Sequence, residues 1–253
     1  MTRDGDAQWS NWWGLLTLVV VIFVATTGVA NAQDITLSLG EDGSLATRTI
    51  QVLVLVTVLS LVPGLAVMVT CFPFIVTVLS ILRQAIGLQQ SPPNMLIVSL
   101  ALFLTYFIME PVFLEAWTQG GLPFSEGALE IEPAFMAAIE PFRIFMAARI
   151  DPETFEHLAM LREQTAGLEI GNEAPLSLLV PSFLLSEVER AFQIGFLVFL
   201  PFLVIDLVVA AILMSMGMMM VPPAIVSLPF KLAFFVVADG WTLLSGALVR
   251  SYF

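Results

Sequence analysis

The side chains of this chain that are most able to do chemistry are a few charged groups inside long apolar runs. Asp206 stands alone between the apolar residues 196–205 and 207–214. A charge at the centre of an isolated membrane helix costs about 2.5–3.5 kcal/mol, so such residues normally face protein or water. We therefore predict that Asp206 is a buried polar residue. It either accepts a structural hydrogen bond from a neighbouring helix or carries a proton, which would require access to water.

Five further charged residues occur in the same apolar part of the chain before its last turn, namely Glu187, Glu189, Arg190, Lys231 and Asp239. Glu187 and Arg190 are three residues apart, so they can pair on one face of a helix. Glu187 can alternatively pair with Lys231 across two helices or two subunits, and both interpretations stay open. Asp239 directly precedes Gly240 near a predicted helix end, where a capping or interfacial role is expected.

Two aspartates in apolar surroundings also raise the hypothesis of an intramembrane aspartyl protease, in which two carboxylates share one proton. Asp239, however, lies in the sequence Val-Ala-Asp-Gly and not in the Gly-x-Gly-Asp arrangement that such an enzyme would show. His157 is the only histidine and Cys71 the only cysteine, so the sequence holds no histidine–cysteine cluster for a metal. We expect the protein not to be an enzyme and to need no cofactor or metal.

A methionine cluster ends one apolar run directly before Pro222 and Pro223; its members are Met214, Met216, Met218, Met219 and Met220. Methionine side chains are flexible and polarizable, so a cluster can fill a helix core or form a deformable seal. The position of Met218, Met219 and Met220 at a turn favours the gating interpretation over simple core packing.

The elements that position these residues are predicted to be membrane helices. The chain is 58% hydrophobic and only 12% charged, whereas soluble domains contain roughly 25% charged residues. Apolar runs of about twenty residues recur without the alternation of barrel strands. The net charge of −12 argues against binding to nucleic acid, because phosphate binding needs basic surfaces.

The order of apolar and polar segments predicts an all-α membrane protein built from helical hairpins. Residues 1–32 read as a signal peptide cleaved after Ala-Asn-Ala, or alternatively as an uncleaved first membrane helix. The remaining segments are an extracytoplasmic N-terminal segment (residues 33–49), a first membrane helical hairpin (50–117), an acidic extracytoplasmic helical segment (118–175) and a second membrane helical hairpin (176–253).

Prolines predict the helix boundaries within the two hairpins. In the first hairpin we expect a kink at Pro63 and a main helix from there to Gly87. In the second hairpin we expect separate helices over residues 181–200, 201–217 and 222–248. The Pro-Pro turns in the two hairpins suggest a weak internal symmetry, although prolines commonly mark membrane-helix turns.

The segment between the hairpins differs in kind, because twelve of the 21 acidic residues lie in residues 110–173. Residues 132–150 and 152–166 predict two amphipathic helices, the second capped by Asp151. Arg83 lies beside the first Pro-Pro turn, which favours the cytoplasmic side for that turn. The acidic segment is then extracytoplasmic.

Short stretches in a fixed order along residues 50–253 identify a family. They are Leu82-Arg83-Gln84-Ala85, Ser91-Pro92-Pro93-Asn94, Leu100 to Thr105, Ser186-Glu187, Ala191 to Phe196, Asp206-Leu207-Val208, Met216 to Pro223, Leu228-Pro229-Phe230-Lys231 and Asp239-Gly240-Trp241. In these stretches the chain resembles the FliP family of flagellar biosynthetic proteins and its virulence type III secretion relatives. One departure is Phe74, which stands where the family commonly has an arginine.

The resemblance implies a pore component of the type III export gate, which conducts unfolded flagellar proteins across the bacterial inner membrane within the flagellar basal body. It implies a ring-like or spiral homo-oligomer of about five copies, with FliQ and FliR as partners and FlhB, FlhA and FliO as further ones. It also implies that Met218, Met219 and Met220 form a gating gasket and that Glu187 and Lys231 form a charged contact between subunits. The alternative function is a proton-coupled multi-pass transporter.

Overall fold

The computed structural model describes residues 45–88, 92–171, 174–218 and 220–253. All regular secondary structure in these residues is helical, which confirms the predicted all-α fold. The chain divides into two compact units, residues 1–57 and residues 58–253. The signal peptide predicted over residues 1–32 and most of the segment 33–49 lie outside the described residues.

The first two helices are separated by a short break that contains no proline. Helix α1 (Leu45–Met68) continues through Pro63, so the helix boundary predicted at that residue is wrong. Helix α2 (Phe72–Ile86) begins after the break. Thr70 stabilises the break, because its hydroxyl donates to the carbonyl of Val67 at 2.7 Å and accepts from the backbone N–H of Phe72 at 3.3 Å.

Helix α3 (Asn94–Ala116) continues into a π-helical turn (Trp117–Gly121) and the short helix α4 (Leu122–Ser125). The π-helical turn packs against helix α5 (Ile131–Arg149). At Gly120 a Cβ atom would lie 2.4 Å from the carbonyl oxygen of Ala134, so a glycine is required for this close approach. The turn therefore fixes where the acidic segment leaves the first hairpin.

The two helices that the sequence predicts in the acidic segment are both present. Helix α5 matches the prediction over residues 132–150, and helix α6 (Pro152–Met160) is shorter than the predicted range 152–166. Asp151 caps α6 as predicted, because its Oδ2 accepts the backbone N–H of Thr154 at 3.0 Å. The helix ends early because the hydroxyl of Thr165 turns back and donates to the carbonyl of Ala159 at 2.8 Å.

The second hairpin differs from the prediction in both of its legs. Helix α7 (Leu176–Ser215) is a single 40-residue helix that runs through its internal prolines, so the predicted break at Pro201 is wrong. The second leg is split into α8 (Pro223–Val237) and α9 (Gly240–Arg250), which are bent by 62° relative to each other. The single helix predicted over residues 222–248 is therefore also wrong.

Among the residues that the structure describes, three helical stretches are long and apolar enough to cross a membrane, namely Thr49–Met68, Asn94–Ser125 and Leu176–Ser215. The bent pair α8–α9 has the same character if it counts as one span, and α2 is a shorter apolar helix. These lengths and compositions support the predicted membrane helices.

Helix α2 lies in the centre of the larger unit and packs most extensively against α7. The main core surrounds the fully buried residues Phe74, Ile75 and Val78 of α2 and receives side chains from α3, α7, α8 and α9. A second core joins α5 and α6 to the first part of α7, around Phe155 and Phe183. Helix α7 thus connects the acidic segment to the membrane hairpins.

Candidate functional site

The methionine turn, residues 214–221, follows directly from the way α7 ends. The N–H of Met218 donates to the carbonyl of Leu213 at 3.0 Å, and the N–H of Gly217 donates to the carbonyl of Met214 at 3.1 Å. These two bonds form a Schellman motif, which requires a left-handed residue after the helix. Gly217, with φ of 75°, supplies that conformation. The start of the turn is therefore fixed by backbone hydrogen bonds and by the conformation of Gly217.

The methionine side chains of this turn that the structure describes are exposed in the single chain. Met220 is 97% exposed, and Met214, Met216 and Met218 are also exposed. Met219 lies outside the described residues. Pro222 occupies the cap position of α8 and Pro223 its first turn, which ends the methionine turn sharply. The predicted gating role of Met218, Met219 and Met220 stays a prediction, but the two described members do not fill a helix core within this chain.

An ion pair joins the two helices that flank the methionine turn. The Nζ of Lys231 in α8 lies 2.6 Å from Oδ2 of Asp206 in α7. The hydroxyl of Ser227 donates to the other carboxylate oxygen of Asp206 at 2.6 Å. Asp206 is less buried than predicted, since its side chain is 36% exposed, whereas the Lys231 side chain is 6% exposed. The geometry supports the structural interpretation of Asp206.

Lys231 also connects this ion pair to the centre of the core. Its Nζ donates to the backbone carbonyl of Ala85 at 3.0 Å. Ala85 belongs to the last turn of α2, where backbone carbonyls have no partner within the helix and carry partial negative charge. One buried cation therefore ties together α2, α7 and α8.

A second charged cluster surrounds Glu187, which is completely buried in α7. The Nε of Arg149, at the end of α5, lies 3.0 Å from Oε1 of Glu187. Arg190 approaches the same oxygen more distantly, at 3.9 Å. The hydroxyl of Tyr252 donates to Oε2 of Glu187. The guanidinium group of Arg149 lies 4.0 Å from the centre of the Tyr252 ring, as in a cation–π contact.

Within one chain, Glu187 and Lys231 are not brought together. Glu187 is paired with Arg149, and Lys231 is paired with Asp206. The local pair of Glu187 and Arg190 forms only at the long distance given above. The charged contact between Glu187 and Lys231 of neighbouring subunits stays a prediction.

Sequence reasoning missed Arg149 and Tyr252 as partners of Glu187. Both lie far from Glu187 along the chain, and neither stands in an apolar run that would draw attention to it. The available signal was Glu187 itself, because a fully buried carboxylate requires a partner from somewhere in the fold.

Phe74, the departure from the family pattern, has a clear place in this structure. It is completely buried in the main core and makes an edge-to-face contact with the Tyr252 ring, at 5.6 Å between ring centres. An aromatic side chain in this position contributes to packing without a charge to neutralise.

The remaining candidates show no catalytic arrangement. His157 is exposed on α6, next to Glu153 and Glu156. Asp239 lies at the start of α9, and its Oδ1 accepts the hydroxyl of Thr242 at 3.1 Å, but its side chain accepts no backbone N–H of that helix. Within residues 45–88, 92–171, 174–218 and 220–253, no group of three or more histidine, cysteine or acidic residues could hold a metal ion.

Comparison with known proteins agrees with the resemblance in the sequence. A model of the FliP family matches residues 55–248. The chain is 48% identical over 239 residues to the flagellar biosynthetic protein FliP of Caulobacter vibrioides, covering 93% of this chain and 88% of that protein. It is 45% identical over 239 residues to FliP of Agrobacterium fabrum, covering 93% and 98%, and 42% identical over 215 residues to FliP of Bacillus subtilis, covering 84% and 96%.

Proposed function

Because this chain belongs to the FliP family of flagellar biosynthetic proteins, we propose that it is a pore subunit of the flagellar type III protein export gate. In this role it conducts unfolded flagellar proteins across the bacterial inner membrane, within the flagellar basal body. The acidic segment of residues 118–175 lies on the extracytoplasmic side. Several helices with the length and composition of membrane spans support a membrane location.

The observation that carries the proposal is a methionine turn whose described side chains are exposed and whose flanking helices are held together. The backbone of the turn is held by the Schellman motif, and its two flanking helices are joined by Asp206 and Lys231. Methionine side chains contact many partners without demanding one shape. A gate for polypeptides must close around varied side chains and still block ions, and we expect several such turns together to do both.

A single methionine turn cannot enclose a pathway, so the proposed gate needs several copies of the chain. We propose a ring-like or spiral homo-oligomer of about five copies, together with FliQ and FliR, and with FlhB, FlhA and FliO as further partners. Exposed apolar residues along α3 and α7, such as Phe103 and Phe196, provide surface for such packing. Glu187 and Lys231 remain candidates for a charged contact between copies.

This function requires no covalent chemistry from the chain. We therefore propose that the protein is not an enzyme and works without a cofactor. The alternative, a proton-coupled multi-pass transporter, depends on Asp206 exchanging a proton. The contacts of Asp206 with Lys231 and Ser227 support a structural role for its carboxylate instead.

The test of the gating role replaces Met218, Met219 and Met220 together by alanine. We expect increased ion leakage through the membrane in cells that express this variant, because alanine cannot fill the space that the methionines occupy. The matched control replaces three exposed methionines outside the turn, namely Met95, Met136 and Met160. Ion leakage in the turn variant that is no greater than in the natural protein would count against the proposal.

Solute transport provides the test between the two functions. A transporter should accumulate a solute when the purified chain alone is placed in vesicles. The export-gate proposal expects no such accumulation and expects the chain to co-purify with other small membrane proteins.

A further inference from the structure

Helix α9 is attached to the rest of the molecule at few points. It follows α8 after a 62° bend, and only Leu244 and Leu248 among its eleven residues are buried. The bend occurs at Asp239, which has the left-handed φ of 48° and is therefore held in a conformation that few residues other than glycine adopt. A short helix with two buried residues is weakly fixed by its own packing.

The far end of α9 is held by polar contacts of the residues that follow it. Arg149 Nη1 donates to the backbone carbonyl of Ser251 at 2.8 Å. The Tyr252 hydroxyl donates to Glu187, and the Tyr252 ring stacks on Phe145, with 6.0 Å between ring centres. Residues of α5 and α7 thus bind the two residues that directly follow α9, Ser251 and Tyr252.

We propose that α9 is a hinged strap, with its hinge at Ala238–Asp239 and a latch formed by Arg149, Glu187, Ser251 and Tyr252. When the latch is closed, Leu244, Leu248 and the Tyr252 ring cover the part of the main core around Phe74. When it opens, α9 separates from the core while α2 and α7 stay packed. This device is independent of the export function.

The hydrogen bond from the Tyr252 hydroxyl to Oε2 of Glu187 is the most important contact of the latch. Glu187 is completely buried, and its Oε1 faces Arg149 and Arg190. Among the described residues, Tyr252 is the one that donates a hydrogen bond to Oε2. Removal of that donor leaves a buried carboxylate oxygen unsatisfied, and opening the strap lets water reach it. Loss of the hydroxyl therefore shifts the strap towards its open state.

Hydrogen exchange of the full chain in detergent tests the strap. In Tyr252→Phe, which keeps the aromatic ring, we expect amides of residues 240–250 to exchange about tenfold faster or more, with no change in α2 or in the α5–α7 core. The matched control is Tyr106→Phe, which changes the other tyrosine of the chain, exposed on α3. Unchanged exchange in residues 240–250 would overturn the proposal, as would faster exchange throughout the molecule.

A double-mutant cycle provides a second measurement, with Glu187→Gln as the other member. If the two side chains form one latch, Tyr252→Phe should accelerate the exchange of α9 much less in the Glu187→Gln background than in the natural chain. Equal acceleration in both backgrounds would show that the tyrosine hydroxyl does not act through Glu187. If Glu187→Gln does not fold, Arg149→Lys replaces it, because lysine keeps the charge but cannot reproduce the two contacts of the guanidinium group.

Discussion

Lys231 forms a close ion pair with Asp206, and the groups around its ammonium group determine the effect of removing it. The 2.6 Å contact with Asp206 and the 3.0 Å contact with the Ala85 carbonyl are both made by one buried ammonium group. A substitution that removes one partner of a buried pair leaves the other charge without compensation. The Asp206 side chain is only partly buried within the chain, at 36% exposed.

We predict that Lys231→Met destabilises the chain by about 1–3 kcal/mol, measured by denaturant unfolding in detergent. The loss should be partly recovered in the double variant Lys231→Met with Asp206→Leu, because no unpaired charge is left. If the destabilisation of the double variant equals the sum of the destabilisations of the two single variants, the two side chains do not stabilise the fold as a pair. Ion leakage through the membrane, measured for the same variants, also shows whether the Asp206–Lys231 pair beside the methionine turn affects gating.

A pH-dependent effect is expected at Asp151. Hydrogen bonds from Thr154, chiefly from its backbone N–H, lower the pKa of Asp151 below its usual value. A carboxyl group with a lowered folded-state pKa stabilises the fold above its unfolded pKa, and this contribution is lost as the pH falls through the folded pKa. We predict that amide protection of α6 decreases on acidification below about pH 4.

Asp151→Asn is the control for this prediction, because asparagine also caps helices but does not titrate. The variant should keep α6 protected, and the decrease on acidification that belongs to this cap should be absent. The same decrease in both proteins would place its cause outside the cap. Hydrogen exchange of residues 152–160 at several pH values provides the measurement.

The sequence could identify charged residues but not all of their partners. Asp206 and Lys231 were noticeable because each stands in an apolar run, and Asp151 because it precedes a proline at a helix start. Arg149 and Tyr252 could not be assigned to Glu187, since their contact depends on how α5, α7 and the residues after α9 meet. Long-range side-chain pairing follows from tertiary packing, which periodicity and composition do not encode in one sequence.

Among the elements, the helix breaks show why proline alone is a poor guide in this chain. Helix α7 passes through Pro181 and Pro201, while the real bend of the last leg lies at Asp239 without a proline. A proline removes one backbone hydrogen bond, and neighbouring helices in a membrane protein can accommodate that loss. A left-handed residue ends a helix more effectively because it reverses the local path of the backbone.

The π-helical turn leads to a prediction about close packing between elements. In Gly120→Ala the new Cβ would lie 2.4 Å from the Ala134 carbonyl oxygen and 2.6 Å from the Ala138 Cβ. Backbone atoms cannot move aside cheaply, so we expect a loss of about 1–3 kcal/mol or more, measured by thermal unfolding. Gly64→Ala is the control, since a Cβ there meets nothing within 4 Å. Equal stability of both variants would contradict the tight contact.

On the scale of the whole molecule, the length of α7 conflicts with a simple membrane span. Its 40 residues extend over about 60 Å, while the hydrocarbon core of a bilayer is about 30 Å thick. The first part of α7 packs against α5 and α6, the helices of the acidic segment. We therefore expect hydropathy to overstate how much of this helix contacts lipid, and we expect neighbouring protein to cover the remaining apolar surface.

We predict that a photoreactive lipid probe, applied to the assembled complex, labels α7 over no more than about 20 consecutive residues. The labelled part should exclude the region around Phe183, because that region joins the core of the acidic segment. The stretch Thr49–Met68 in α1 is the internal comparison, since its 20 residues match the thickness of the bilayer and can be labelled along their whole length. Uniform lipid labelling from Leu176 to Ser215 would show that the bilayer, and not neighbouring protein, surrounds α7.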